Sequence, residues 1–353
     1  MKLARIALAL TTVIALALIA GCPSEPPQGE ALPPLPAGEE IPEPAAGGDS
    51  MTIAMIAKSS TNPVFLSART GAEDAARDLS SEHNAEITID WRTPPTEDGQ
   101  VQAQRIAQAV NEGADAILIS CSDAAKVTGA IDDAVDRGVP VMTFDSDAPD
   151  SKRFAYYGVD DMKTGAAVMD ELAPLLEEKG KVAILAGNQN APNLQKRVQG
   201  VEQAAEAYPG IEIVGAFYHT ETPQDAAAEV IRVTNAYPEI TGWAFIGGWP
   251  LFTKSLLTDL DPERVTVVSV DALPAELPYV KAGIAPVLLA QPTYNWGYVS
   301  VEAIVDKVLL EREVDEIQEM ELVRVTTDNL GEWARQLKDW GFDDVPAEYL
   351  EMQ

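Results

Sequence analysis

Four polar groups in this chain stand directly behind short apolar runs. Lys58-Ser59-Ser60-Thr61-Asn62-Pro63-Val64-Phe65 follows "MTIAMIA", Asp145-Ser146-Asp147 follows "VMTF", Asp271 follows "VVSV" and Gln291 follows "VLLA". Carboxylates and amides so placed exchange hydrogen bonds with adjacent hydroxyls, while an aromatic ring beside them covers an apolar face. That is the chemistry of gripping a neutral polyol in a largely dry cleft. A strand-end aspartate also serves as the cap of the following helix, so each residue alone carries either meaning; the set of four favours the cleft. Asp145 and Asp271 would also suit the paired carboxylates of a secreted glycosidase.

Such residues work only if elements bring them to one place. Nine apolar runs punctuate the chain: 51–57, 87–91, 116–120, 139–145, 181–186, 211–218, 243–248, 265–271 and 286–291. Between them lie segments of helical spacing. In 63–80, Phe65, Ala68, Ala72, Ala76 and Leu79 share a face, and in 101–112 so do Ala103, Ile106, Ala107 and Val110. Asn62-Pro63 reads as a cap followed by proline in the first turn. Near-continuous apolar strands alternating with helices predict parallel sheets covered on both faces, and in such sheets ligands sit beyond the carboxyl ends of the strands. No strand is followed by a dinucleotide G-x-G-x-x-G, no phosphate-binding G-x-x-x-x-G-K-[ST] occurs, and there is no G-x-S-x-G elbow.

The amino-terminal stretch reads as targeting. Lys2 and Arg5 precede an apolar run from Ile6 to Ala20, shorter than the roughly 20 residues that span a bilayer comfortably. Leu18-Ile19-Ala20-Gly21-Cys22 resembles the bacterial lipobox, which implies a signal peptide over 1–21 and lipidation of Cys22. Residues 22–50, rich in Pro, Gly and Glu and poor in bulky apolar side chains, read as a disordered tether. The other cysteine, Cys121, has no intramolecular partner, and His83 and His219 are too few and too scattered for a zinc site; no metal or cofactor is expected. A net charge of −31 disfavours nucleic acid and anionic lipid surfaces. The remaining length, roughly 300 residues, exceeds one usual core and suggests two domains.

The pieces "IAMIAKSSTNPVF", "GADAILIS", "VPVMTFDSD", "GAAVMDEL", "RVQG", "VTVVSVD" and "LLAQPTYNWG" occur in the order found in the type I periplasmic sugar-binding proteins, the ribose-binding-like receptors of ABC importers, which residues 51–325 resemble. The resemblance implies an α/β fold of two Rossmann-like lobes, parallel sheets flanked by helices, joined by a three-segment hinge near 159–161, 291–293 and 320. The first lobe would be 51–159 with 293–320, the second 160–292, and 321–353 a hinge return and tail helix. Carried over by residue, Asn62 and Phe65 match polar and stacking positions of the first loop. Asp145 matches a bidentate hydroxyl-binding aspartate, and Asp271 and Gln291 match a second-lobe carboxylate and a hinge-side amide. The family's arginine after that aspartate is Ser146 here, and Lys58 is expected to replace its charge from across the cleft. In "NAPNLQKRVQG", Asn193 reads as a ligand contact or a helix cap. Gln195 falls at the usual arginine position and Arg197 two residues later, so either side chain faces the ligand. "FIGGWP" places Trp249 after two glycines, where it would project near the cleft mouth to stack on a sugar ring or else pack. Trp296 reads mostly as core.

The expectation is therefore a monomeric, lipid-anchored extracytoplasmic receptor without enzymatic activity. It would bind a monosaccharide or similar polyol and deliver it to an ABC permease; the alternative is a receptor of the same fold for a sugar-like signal or for chemotaxis.

Overall fold

The computed structural model of the chain describes residues 50–257 and 260–352. The expected signal peptide, Cys22 and the tether up to residue 49 lie outside the described residues; Ser50, the last expected tether residue, opens the first strand.

Chain order begins with β1 (Ser50–Ile56), α1 (Pro63–His83), β2 (Glu86–Trp91), α2 (Gly99–Asn111), β3 (Ala116–Ile119), α3 (Ala124–Asp136), β4 (Val141–Phe144) and β5 (Ala155–Gly158). It continues through α4 (Asp161–Leu175), β6 (Lys179–Ala186), α5 (Pro192–Ala205), β7 (Gly210–Tyr218), α6 (Pro223–Ala236), β8 (Ile240–Phe245), β9 (Thr266–Val270), α7 (Leu277–Lys281) and β10 (Val287–Ala290). The last elements are α8 (Thr293–Val308), β11 (Ile317–Glu319), β12 (Val323–Val325), α9 (Leu330–Asp339) and α10 (Ala347–Leu350).

Two six-stranded sheets result, ordered β11-β5-β4-β3-β1-β2 and β12-β10-β9-β8-β6-β7. All pairings are parallel except β10 with β12. The chain leaves the first sheet after β5, returns from β10 to the first sheet's α8 and β11, and crosses again between β11 and β12. Each sheet with its helices forms one lobe, and three strands of chain join the two.

The local reasons are familiar ones. Asn62 Oδ1 accepts from Val64 N at 3.2 Å and Pro63 opens the helix, while Asn84, at φ 50°, ends it in the left-handed conformation. Asp98, Asp123, Asp160 and Thr222 cap α2, α3, α4 and α6 in the same way. Each lobe also carries a helix pair in which backbones touch. A Cβ on Gly71 would stand 2.0 Å from Tyr294 O and one on Gly297 1.8 Å from Ala68 O; in the second lobe, Gly165 meets Arg197 O at 2.0 Å and Gly200 meets Met162 O at 2.2 Å. Only glycine allows α1 to lie against α8 and α4 against α5 so closely. These pairs fix the start of α5, which carries two of the residues singled out above.

The first lobe is built around Phe65, Phe144 and Trp296, with a second apolar layer that includes Ile106, Ile117, Ile131 and Cys121. Burial raises the Cys121 thiol far above its ordinary pKa, so it is an inert apolar filler. Trp243 and Phe245 centre the second lobe's core. No helix of the described residues is long and apolar enough to cross a membrane.

Candidate ligand site between the lobes

β4 and β9 occupy corresponding places in their sheets, and each ends in an aspartate with positive φ: Asp145 at 55° and Asp271 at 74°. For a residue with a Cβ this is sparsely populated backbone that costs on the order of 1–3 kcal/mol and gathers at functional sites. Here it turns both carboxylates toward the space between the lobes.

Around Asp145 the partners come from both lobes. Ser120 Oγ, at the end of β3, donates to its Oδ2 at 2.7 Å, and Lys58 Nζ lies 3.4 Å from the same oxygen. From the second lobe, Asn193 Nδ2 donates to Oδ1 at 3.0 Å, while Asn193 Oδ1 accepts from Lys58 Nζ at 3.1 Å. Tyr156 OH donates to the Asp145 carbonyl at 3.0 Å and holds the strained turn. Around Asp271, Gln291 Nε2 donates to Oδ1 at 2.8 Å and Gly248 N to Oδ2 at 3.1 Å. Arg197 joins the halves: Nε donates to Asp161 Oδ1 at 2.8 Å, Nη1 to the Ile246 carbonyl at 3.2 Å, and Nη2 to Gln291 Oε1 at 2.8 Å.

All these side chains are buried, so their charges depend on one another. Burial opposes the charge on Lys58, but Asp145, backed by Glu221 and Glu97, outweighs it and raises the lysine pKa. Arg197 follows the same logic with Asp161, Asp145 and Asp271. Burial pushes Asp161 up to about 6, with Arg197 pulling part of the way back, and burial likewise raises Asp271. Behind Asp271, burial first and Asp271 second push the carboxyl of the fully buried Glu276 well above its ordinary pKa. The cluster thus sets two cations against three carboxylates. It offers an anion no net attraction and offers hydroxyls an alternating set of donors and acceptors.

A family model described as a periplasmic binding protein domain matches residues 53–311. The chain belongs to this family. It is 26% identical to the ribose import binding protein of Bacillus subtilis over 202 residues, 57% of this chain and 60% of that protein. With the ribose import binding protein of Salmonella typhimurium the identity is 25% over 260 residues, 73% of this chain and 84% of that one. The first three curated relatives are matched over 60%, 63% and 61% of their length. Among solved structures, an ABC transporter solute-binding protein from Burkholderia graminis in complex with D-arabinose superposes with a TM-score of 0.75 at 25% identity, over 80% of this chain and 97% of that one. These relatives carry the names of binding proteins, not of enzymes.

The expected site residues fall into two sets in it. Lys58, Asp145, Asn193, Arg197, Asp271 and Gln291 converge in one hydrogen-bonded cluster. Lys58 reaches Asp145 from the end of β1 in the same lobe, not from across the cleft, because β1 and β4 flank β3 in the first sheet. Asn193 is no cap: the cap position of α5 is Ala191, and the Asn193 side chain crosses to the first lobe. The register of α5 turns Arg197 inward, while Gln195 is exposed and bonds to the Gln189 carbonyl. The others sit apart. The Asn62 side chain caps α1. The Phe65 ring stacks on Trp296 at 6.0 Å with Phe144 edge-on at 6.4 Å. Trp249 is packed in the second lobe rather than projecting: its ring meets His219 edge-on at 4.9 Å and lies against Gly187 and Gly247. Ser146 Oγ is buried without a hydrogen-bond partner among the described residues, as is Trp296 Nε1 beside Phe65.

Sequence reasoning passed over Asp161, Ser120, Tyr156, Glu276 and Glu97. Asp160-Asp161 looks like a helix start, and Asp160 is indeed the cap; the doubled aspartate was the available sign that one of them is free for Arg197. Glu97 and Glu221 come from loops of opposite lobes at the cleft mouth, where Asn188 N donates to Glu221 at 2.9 Å and Asn188 Nδ2 to Glu97 at 3.4 Å.

Proposed function

We propose that this periplasmic binding protein binds a neutral monosaccharide or similar polyol between its lobes, outside the cytoplasmic membrane, and delivers it to an ABC importer. The carrying observation is the pair of strained strand-end aspartates, one per lobe: Asp145 held by the Asn193 amide, the Ser120 hydroxyl and the Lys58 ammonium, and Asp271 by the Gln291 amide and the Gly248 backbone N–H. A ring bearing adjacent hydroxyls would enter this network by exchanging one set of hydrogen bonds for another. The slight excess of carboxylate over cation argues for a neutral solute over a sugar acid or phosphate. The names of the relatives, which include ribose, xylose/arabinose and ribose/allose binding, point to pentoses and hexoses. Lipidation at Cys22 would tether the receptor beside its permease.

The test is thermal denaturation of the chain from Gly47 onward against a panel of pentoses, hexoses, polyols, sugar acids and amino acids. A solute at about 100 times its dissociation constant stabilises by about 2.7 kcal/mol. A shift with one neutral sugar, lost in both Asp145→Ala and Asp271→Ala, is expected. A shift only with an anionic or amino-acid solute would overturn the substrate class. The anchor is tested separately, by whether the full chain leaves the membrane fraction when Cys22→Ala is introduced.

A further inference from the structure

Residues 326–352 follow the last crossover and lie beyond the matched family domain. α9 rides on the second lobe, burying Leu330, Trp333, Ala334 and Leu337 in its core. Trp333 Nε1 donates at 2.7 Å to the carbonyl of Ala272, the residue after Asp271. The helix ends at Trp340, and Gly341, at φ 86°, turns the chain. At this turn the tail touches the other lobe. The Trp340 ring lies parallel to Tyr294, with centroids 5.8 Å apart and 3° between planes, and Tyr294 OH is tied to Asp74 of α1 at 3.0 Å. Phe342 packs against the cores of both lobes. Val345 and Tyr349 then return to the second lobe. A short excursion at 340–342 therefore reaches the first lobe, anchored on both sides in the second.

We propose that this excursion is a strap that biases the lobes toward the closed arrangement before any solute arrives. A contact present only when the lobes are together shifts the population toward that state, and apparent affinity scales with the competent fraction. Tyr294 begins α8 just after a crossover, whereas α9 moves with the second lobe, so opening must slide Trp340 off Tyr294. A cavity of about 290 Å³ beside the strap, walled by Leu66, Phe252, Leu273 and Phe342, leaves room for that slide without unfolding. The Trp333 hydrogen bond places the fixed end of the strap next to Asp271, so the tail braces a cleft residue while it limits opening.

The proposal rests on the two-lobed receptor reading, but its test does not need the solute to be known. Small-angle X-ray scattering is measured on ligand-free full-length protein and on Trp340→Ala and Phe342→Ala. Tyr294→Leu, which removes the partner from the first-lobe side, serves if the tail variants fail to fold. The expected result is a larger radius of gyration in the variants. Titration with D-ribose and D-arabinose should then show binding about threefold to tenfold weaker than in the parent for whichever sugar it binds. Folded variants that scatter like the parent would overturn the strap. If the parent binds neither sugar, the receptor reading is what is challenged, and scattering alone decides the strap.

Discussion

Asn193 of the second lobe donates Nδ2 to Asp145 Oδ1 at 3.0 Å, while its Oδ1 accepts from Lys58 Nζ at 3.1 Å. One amide thus spans the cleft, presenting a donor to the carboxylate and an acceptor to the ammonium. Neither half is replaceable by the other. Asn193→Asp would set a carboxylate against Asp145, and Asn193→Ala would leave both first-lobe groups one partner short. The expected loss is about 1–3 kcal/mol for Asn193→Ala, with Asn193→Asp worse at neutral pH and recovering toward acid as its new carboxyl protonates. Urea denaturation at two pH values measures both; equal losses at both would mean that residue 193 does not face Asp145.

Lys58 supplies the cation nearest Asp145, and both are almost wholly buried. Removing one partner of a buried pair costs roughly 3–5 kcal/mol because the other charge is left uncompensated, whereas removing both is far milder. Lys58→Met should therefore be strongly destabilising, and adding Asp145→Asn should restore part of the loss. A double-mutant cycle measures the coupling. Strictly additive effects would place the two side chains outside direct contact, and would also detach Lys58 from the proposed site.

Much of this arrangement is legible in the sequence. The nine apolar runs all coincide with strands, because buried parallel strands leave a continuous apolar signature. The strands β5, β11 and β12 were not legible: "AYYG", "IQE" and "VRV" are three or four residues long, and two of them are edges with exposed positions. Asp145 and Asp271 were legible from their place behind apolar runs. Asp161 was not, since Asp160 alone accounts for a helix start. The aromatic expectations fared differently, as ring placement depends on packing that no spacing encodes. Trp249 is drawn inward because Gly187 and Gly247 leave room for its ring.

The crossing of α4 and α5 carries Arg197 and Asn193 into the cleft, and it depends on Gly165. A methyl there would fall 2.0 Å from the Arg197 carbonyl oxygen, a backbone atom that cannot swing away. Overpacking of this kind costs about 1–3 kcal/mol or more. Gly165→Ala is accordingly expected to lower the melting temperature and to weaken solute binding beyond what stability explains, since α5 must shift as a unit. Gly297→Ala, whose methyl would meet Ala68 O in the first lobe, should destabilise comparably while leaving the place of Arg197 unchanged. If Gly165→Ala costs stability but leaves binding as it was, the helix crossing does not position the site.

At the cleft mouth, Glu97 faces Glu221 across the lobes, with His219 beside them and Lys58 beneath. Burial first, and Glu221 second, raise the Glu97 carboxyl well above its ordinary range, with Lys58 pulling it back in part. The folded protein therefore keeps a proton on Glu97 at pH values where the unfolded chain has released it. Stability contributed at this site is full below the ordinary glutamate pKa of about 4.3 and falls as pH rises toward the raised native value. Glu97→Gln stays neutral throughout and escapes that fall. The variant should match the parent near pH 4 and melt higher than the parent near pH 8. His219 does not supply the effect, because burial lowers its pKa and keeps it neutral over the upper part of this range. Melting temperatures of both proteins at pH 4, 6 and 8 decide the matter. A constant offset between them would mean that Glu97 releases its proton as freely in the folded protein as in the unfolded chain, and that closing the mouth brings no carboxylates together.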